Sequence, residues 1–122
     1  MNILLVDDND ELREFLVLCL SEANIQATTA SNSADALKKA DLSRYDVFVL
    51  DSVLGQEDGI DLVEQLRASK NGKTTPILLM SSISTALARR MATAAGCNEF
   101  LVKPFGATQL AELVRSLGRG KR

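Results

Sequence analysis

Val47-Phe48-Val49-Leu50-Asp51 is an apolar run closed by a carboxylate, and two other runs in the chain share its form. Ile3-Leu4-Leu5-Val6 leads into Asp7-Asp8, and Phe100-Leu101-Val102 leads into Lys103-Pro104. Buried parallel strands are continuous apolar runs, and open α/β sheets bind ligands just beyond the carboxyl ends of their strands. Side by side, these three strands would bring three carboxylates and one ammonium to a single sheet edge. Carboxylates that close together stay ionised only with a cation among them, and a hard divalent metal suits such a site.

The segments between these runs have helical periodicity. Residues 10–22 place Leu12, Phe15, Leu16, Cys19 and Leu20 on one face. Around this helix the pattern predicts strands over 2–6, 25–29, 47–50, 77–80 and 100–102. It predicts further helices over 33–40, from Gly59 onward through Ile60, Val63 and Leu66, and over 85–95 to a stop at Gly96. The last helix presents Leu110, Leu113, Val114 and Leu117 and ends at Gly118. Five strands alternating with five helices imply an α/β fold: a doubly wound, five-stranded parallel sheet with helices on both faces. A flavodoxin-like order, 2-1-3-4-5, puts the modestly apolar second strand at an edge. It also sets strands 1 and 3 side by side at the switch point.

With 122 residues the chain forms one domain with room for a core. Apolar residues make up 46% and charged residues 25%, the balance of a soluble globular protein. The apolar runs are too short to cross a bilayer and no signal-peptide pattern opens the chain, so a cytoplasmic protein without membrane contact is expected. Cys19 and Cys97 lie in separate periodic segments and are expected as reduced core residues. The net charge of −2 gives no field toward nucleic acid, and residues 119–122 form a small basic tail or the start of a linker. Histidine is absent, which excludes His-based triads and most zinc sites.

Taken alone, Asp7-Asp8 is equally consistent with negative charge at a helix N-terminus, with Asp8 or Asp10 as the cap. Asp51 favours a site instead: a carboxylate closing a buried strand needs a partner, and Asp58 already stands where the third helix is capped. Lys103 follows a strand and can reach across to Asp51. Pro104 constrains the turn after it, with a cis bond in keeping with such a place. Ser81 closes the fourth strand, where its hydroxyl can donate to an anion held at Asp51, while Ser84 fits a helix cap. Carboxylates, a cation, an ammonium and a hydroxyl suit a phosphoryl group.

Val6-Asp7-Asp8, Asp51, Asp58-Gly59, Ser81 and Lys103-Pro104-Phe105, in this order and spacing, resemble a response-regulator receiver domain of two-component signalling over about residues 3–117. The resemblance implies a receiver domain over residues 1–118 with Asp51 as phosphoacceptor. It implies magnesium bound by Asp8, Asp51 and the Val53 carbonyl, with Asp7 acting through water. Lys103 would contact the phosphoryl oxygens, Ser81 would move toward them, and Phe100 would turn as the coupled aromatic switch. The donor would be a phosphohistidine on a histidine kinase or histidine phosphotransfer domain, in keeping with the missing histidines. A downstream output protein or domain would read the change, through a monomer or a phosphorylation-dependent dimer and without direct nucleic-acid binding. Such a domain is not an enzyme beyond catalysing its own phosphorylation and dephosphorylation.

Some positions depart from that family's pattern. Ser52, Leu54 and Gly55 replace a more usual apolar residue, Met and Pro, with Gly55 loosening the loop, and Ser82 replaces Ala or Gly. Neither Val53 nor Ile83 can orient an attacking water, so slow self-dephosphorylation is expected. Arg89 and Arg90, with Glu99 and Arg115, would colour a face between the fourth and fifth helices. Three alternatives are weaker. In a haloacid-dehalogenase-type phosphatase Asp8-Asn9-Asp10 would carry the nucleophile, but that family needs a longer chain. A flavodoxin-like cofactor binder would need a phosphate-cradling loop in place of Asp7-Asp8-Asn9-Asp10. A phosphate-independent docking module would not need the acidic set, Lys103 and Ser81.

Overall fold

The structure, a computed structural model, describes residues 1–120. Its order is β1 (Asn2–Val6), α1 (Asp10–Glu22), β2 (Gln26–Ala30), α2 (Ser33–Leu42), β3 (Val47–Asp51), β4 (Val53–Leu54), β5 (Glu57–Asp58), α3 (Gly59–Ala68), β6 (Ile77–Ser81), α4 (Ala86–Ala95), β7 (Glu99–Val102) and α5 (Ala107–Gly120). Five strands form one parallel sheet in the order β2-β1-β3-β6-β7, which is the expected 2-1-3-4-5. Parallel strands covered on both faces must be apolar on both, and β1, β3 and β6 are almost wholly buried. One face packs Leu4, Phe48, Leu50 and Leu79 against α2, α3 and α4 residues such as Leu62 and Ala92. The other packs Ile3, Leu5, Val49 and Met80 against Leu16 and Leu20 of α1 and Leu110 and Val114 of α5.

Several local expectations are corrected. Asn9, not Asp8 or Asp10, caps α1 by accepting from the Leu12 N–H, and Thr85, not Ser84, caps α4. An Asx or hydroxyl side chain caps from the residue immediately before the first turn, which fixes the choice by one position. Phe15 is 57% exposed, because the buried stripe of α1 runs narrowly through Leu16 and Leu20. Cys19 and Cys97 are free but only half-buried. The last helix continues past Gly118 to Gly120, and Lys121 and Arg122 of the expected tail lie outside the described residues. Arg115 does not face α4: its guanidinium donates to the Ala23 carbonyl, 2.6 Å away at the end of α1. The antiparallel pair β4–β5 escapes sequence patterning altogether, since two residues per strand carry no period.

Arg67, at the end of α3, was not singled out by the pattern either. It donates to the carbonyls of Gly72, Thr75 and Gly96 and to the Asn98 side chain, at 2.8, 2.6, 2.8 and 2.8 Å. One guanidinium thus fastens the segment entering β6 to the turn entering β7. Replacing Arg67 with Met leaves these carbonyls without their donor. We expect a loss of about 2–3 kcal/mol of stability, the scale of hydrogen bonds to a charged group. Urea denaturation checks this, with a lowered midpoint at unchanged slope.

Candidate phosphoacceptor site

The carboxyl ends of β1, β3 and β7 meet at one edge of the sheet, and the side chains there are those of Asp7, Asp8, Asp51 and Lys103. One carboxylate oxygen from each of Asp7, Asp8 and Asp51 lies within 4.8 Å of the other two. Asp7 and Asp51 are buried and Asp8 is exposed at the mouth. The Lys103 ammonium donates to Asp51 Oδ2 at 2.6 Å. The Val53 N–H donates to Asp51 Oδ1 at 3.1 Å. The Lys103–Pro104 peptide is cis. Gly59 makes the close approach of α3 possible: a Cβ there would lie 2.2 Å from the Asp51 carbonyl oxygen. Gly55, at φ +64°, turns the chain between β4 and β5 beside Asp8, a conformation that favours glycine.

Electrostatics set Asp7 apart. Its Oδ1 accepts from the Asn9 N–H at 2.9 Å, while Oδ2 is buried without a hydrogen-bond partner. Burial pushes the Asp7 carboxyl above its ordinary 3.8, and the Asn9 N–H pulls it back. The charges of Asp51 and Asp8 push it up further and Lys103 opposes them. A buried carboxylate oxygen with no donor, facing two more carboxylates, fits a hard cation with oxygen ligands. Asp7, Asp8 and Asp51 are the side chains that would hold it.

Ser81 and Phe100 sit just behind. The Ser81 hydroxyl donates to the Ile83 carbonyl at 3.1 Å and accepts from the Ile83 N–H at 3.0 Å. In this state it is engaged with its own loop, where free backbone groups at the end of β6 supply its partners. Phe100 is half-buried, with the Arg89 guanidinium 4.9 Å from its ring centroid. A cavity of about 420 Å³, lined by Leu79, Ser81, Ile83, Ala88, Met91 and Phe100 among others, separates these two from the β4–β5 pair. The cation–π contact and the Ile83 bonds had no sequence signal, because residue type alone does not say which neighbour a side chain meets.

The family model of the response regulator receiver domain matches residues 3–115. The chain belongs to this family. The receiver assignment is supported by the transcriptional regulatory protein CusR of Escherichia coli (strain K12), 34% identical over 119 residues, covering 98% of this chain and 52% of that protein. The chain spans about half the length of the curated relatives it matches. The receiver domain of the Francisella response regulator 1452 superposes with a TM-score of 0.91 at 27% identity, covering 99% and 98% of the two chains. The receiver domain of the sensor histidine kinase PA1611 from Pseudomonas aeruginosa PAO1 gives 0.88 at 27% identity, covering 97% of each. That structure holds a magnesium ion coordinated in the active site cleft. This chain is therefore a two-component receiver domain with an acidic pocket compatible with magnesium.

The raised Asp7 value gives a signed expectation. The fold binds this proton more tightly than the unfolded chain, so the contribution is fully present below 3.8 and is lost as pH rises through the raised folded value. Near neutral pH, Asp7→Asn should therefore melt higher than the wild type without metal, the difference shrinking toward acid pH. Magnesium at about 100 times its dissociation constant should add ~2.7 kcal/mol to the wild type and distinctly less to the variant. Thermal melts with and without the ion measure both.

Proposed function

We propose that this domain accepts a phosphoryl group on Asp51 from a phosphohistidine of a histidine kinase or histidine phosphotransfer domain, with magnesium bound. The observation that carries this is the Asp51 carboxylate, held at 2.6 Å by Lys103 within 4.8 Å of two further carboxylates. An Asp51 oxygen attacks phosphorus, the phosphorus–nitrogen bond of the donor breaks, and imidazole leaves with the electron pair. The product is an acyl phosphate. Lys103 turns its ammonium from the free carboxylate to the phosphoryl oxygens, which carry more charge. Asp7, Asp8, Asp51 and the Val53 carbonyl are the groups assigned to magnesium, which when bound neutralises charge on the transferring oxygens.

Ser81 is the hydroxyl that would leave Ile83 for the phosphoryl group, and Phe100 the aromatic that would follow into the adjoining cavity. An output protein or domain would read that change. The domain carries a phosphoryl group and catalyses only its own gain and loss of it. The haloacid-dehalogenase reading would put the covalent phosphate on Asp8 instead, an exposed residue without the lysine contact that Asp51 has.

Incubation with acetyl phosphate and magnesium, followed by peptide mapping, tests the assignment. Asp51→Asn should lose the acyl phosphate entirely. Label retained in Asp51→Asn and lost in Asp8→Asn would move the nucleophile to Asp8.

Val53 is 56% exposed beside Asp51 and Ile83 is 59% exposed, so two apolar side chains flank the approach of water. Val53→Asn should speed hydrolysis of the acyl phosphate by roughly tenfold, a modest share of what a positioned polar group supplies in proton transfer. Phosphate release from pre-labelled protein measures it, and an unchanged rate would contradict the assignment of slow hydrolysis to Val53.

A further inference from the structure

Asp7 and Asp8 are consecutive, and consecutive side chains of a strand point to opposite faces. Both carboxylates nevertheless meet Asp51, so the chain must bend immediately after β1, and something must hold the bend. Arg13, one turn into α1, is placed to do so. Its Nη1 donates to the Asp7 carbonyl at 2.8 Å and its Nη2 to Asp10 Oδ1 at 2.7 Å. Its side chain is only 17% exposed, against 79% for Asp10. Its own N–H bonds the Asn9 carbonyl at 2.9 Å. Within the same turn the Asn9 N–H donates to Asp7 Oδ1, and the Asn9 side chain caps α1. From the other side Asp7 is tied to β2, its N–H donating to the Ala30 carbonyl at 3.1 Å.

From this network we infer that Arg13 is a positioning residue for the metal site: its fork locks the Asp7–Asp10 turn so that both carboxylates face one cation. A guanidinium suits the task because its donors are fixed in one plane and reach two acceptors at once, which a lysine ammonium does not reproduce. The inference rests on the reading that these carboxylates bind magnesium.

The sign of one measurement separates positioning from mere proximity. A positive charge beside a cation site repels the cation, so if Arg13 acted only through its charge, removing it would tighten magnesium binding. If it positions the ligands, removing it weakens binding despite the lost repulsion.

Magnesium binding is measured by calorimetry on the whole chain, with free manganese counted by electron paramagnetic resonance as a second probe. Arg13→Met should raise the magnesium dissociation constant by about 10–100-fold, the usual effect of losing a partner that orients metal ligands. Arg13→Lys, which keeps the charge and serves if the Met variant does not fold, should show a smaller loss in the same direction. Asp10→Asn breaks the exposed ion pair but leaves the Asp7 bond, and should change the constant less than about fivefold. Unchanged or tighter binding in Arg13→Met and Arg13→Lys overturns the inference, as does a loss in Asp10→Asn equal to that in Arg13→Met. Failure of the underlying reading looks different: the wild type would bind no magnesium, or Asp51→Asn would bind it equally well. Either result removes the site that Arg13 is said to position.

Discussion

Three carboxylates are gathered at one end of a sheet whose interior is otherwise apolar, and much of the local structure answers that concentration of charge. Lys103 offsets one negative charge from β7, across 52 positions of sequence, through its 2.6 Å contact with Asp51. The Asn9 and Val53 N–H groups donate to Asp7 and Asp51. These are the responses expected where burial penalises ionised groups: pair them, hydrogen-bond them, or shift their titration. They remain incomplete, since Asp7 Oδ2 has no donor and its carboxyl is pushed upward. A fold optimised only for stability would place an apolar residue there. A cation bound there would relieve that cost, which would set metal affinity and the stability of the metal-free fold against each other at a single atom.

That tension also explains why the sheet order matters. Parallel strands in the order β2-β1-β3-β6-β7 put β1 beside β3, and connections leave the two in opposite directions around the sheet. Asp7 and Asp51 thereby face each other across the crevice without a loop between them. Gly59 completes the arrangement from beneath: α3 starts so close to the Asp51 carbonyl that a Cβ would overlap it. The helix start and the strand end are thus one packed unit, and Asp51 has little freedom to retreat from its neighbours.

Strands β1, β3 and β6 were legible because burial on both faces demands unbroken apolar runs, and the charged residues closing β1, β3 and β7 stood out against them. Asp7, Asp8, Asp51 and Lys103 could be brought together from sequence because strand order determines which ends are neighbours. What escaped were the interactions whose partner is chosen by tertiary geometry. Asn9 rather than Asp8 or Asp10 caps α1 by a difference of one residue in where the helix begins. Phe15 kept the helical period yet lies outside the narrow stripe that touches the sheet. Arg13 and Arg67 drew no reading from the pattern, and Arg89 was read only as charge on a helix face. Two of them instead bind backbone carbonyls and the third covers an aromatic ring, and a long flexible cation carries no sequence mark of its acceptor.

Ser81 and Phe100 are placed where a local event at this edge would reach further. Ser81 stands at the end of β6, bonded to Ile83, and Phe100 lies on the neighbouring β7 beneath Arg89. Both border one cavity of about 420 Å³. Hydroxyl bonds to a loop and a partly exposed cation–π contact are each worth only about 1 kcal/mol. A new charge at Asp51, offering charge-assisted hydrogen bonds of roughly twice the strength of neutral ones, competes with interactions of that size. Packed cores, by contrast, do not deform by small degrees. A phosphoryl group on Asp51 would thus leave the five-stranded core unchanged and rearrange the weakly held contacts around the cavity. The division between a rigid charged edge and a loosely tied rim would suit a switch, because a phosphoryl group could join and leave Asp51 without disturbing the fold that holds it.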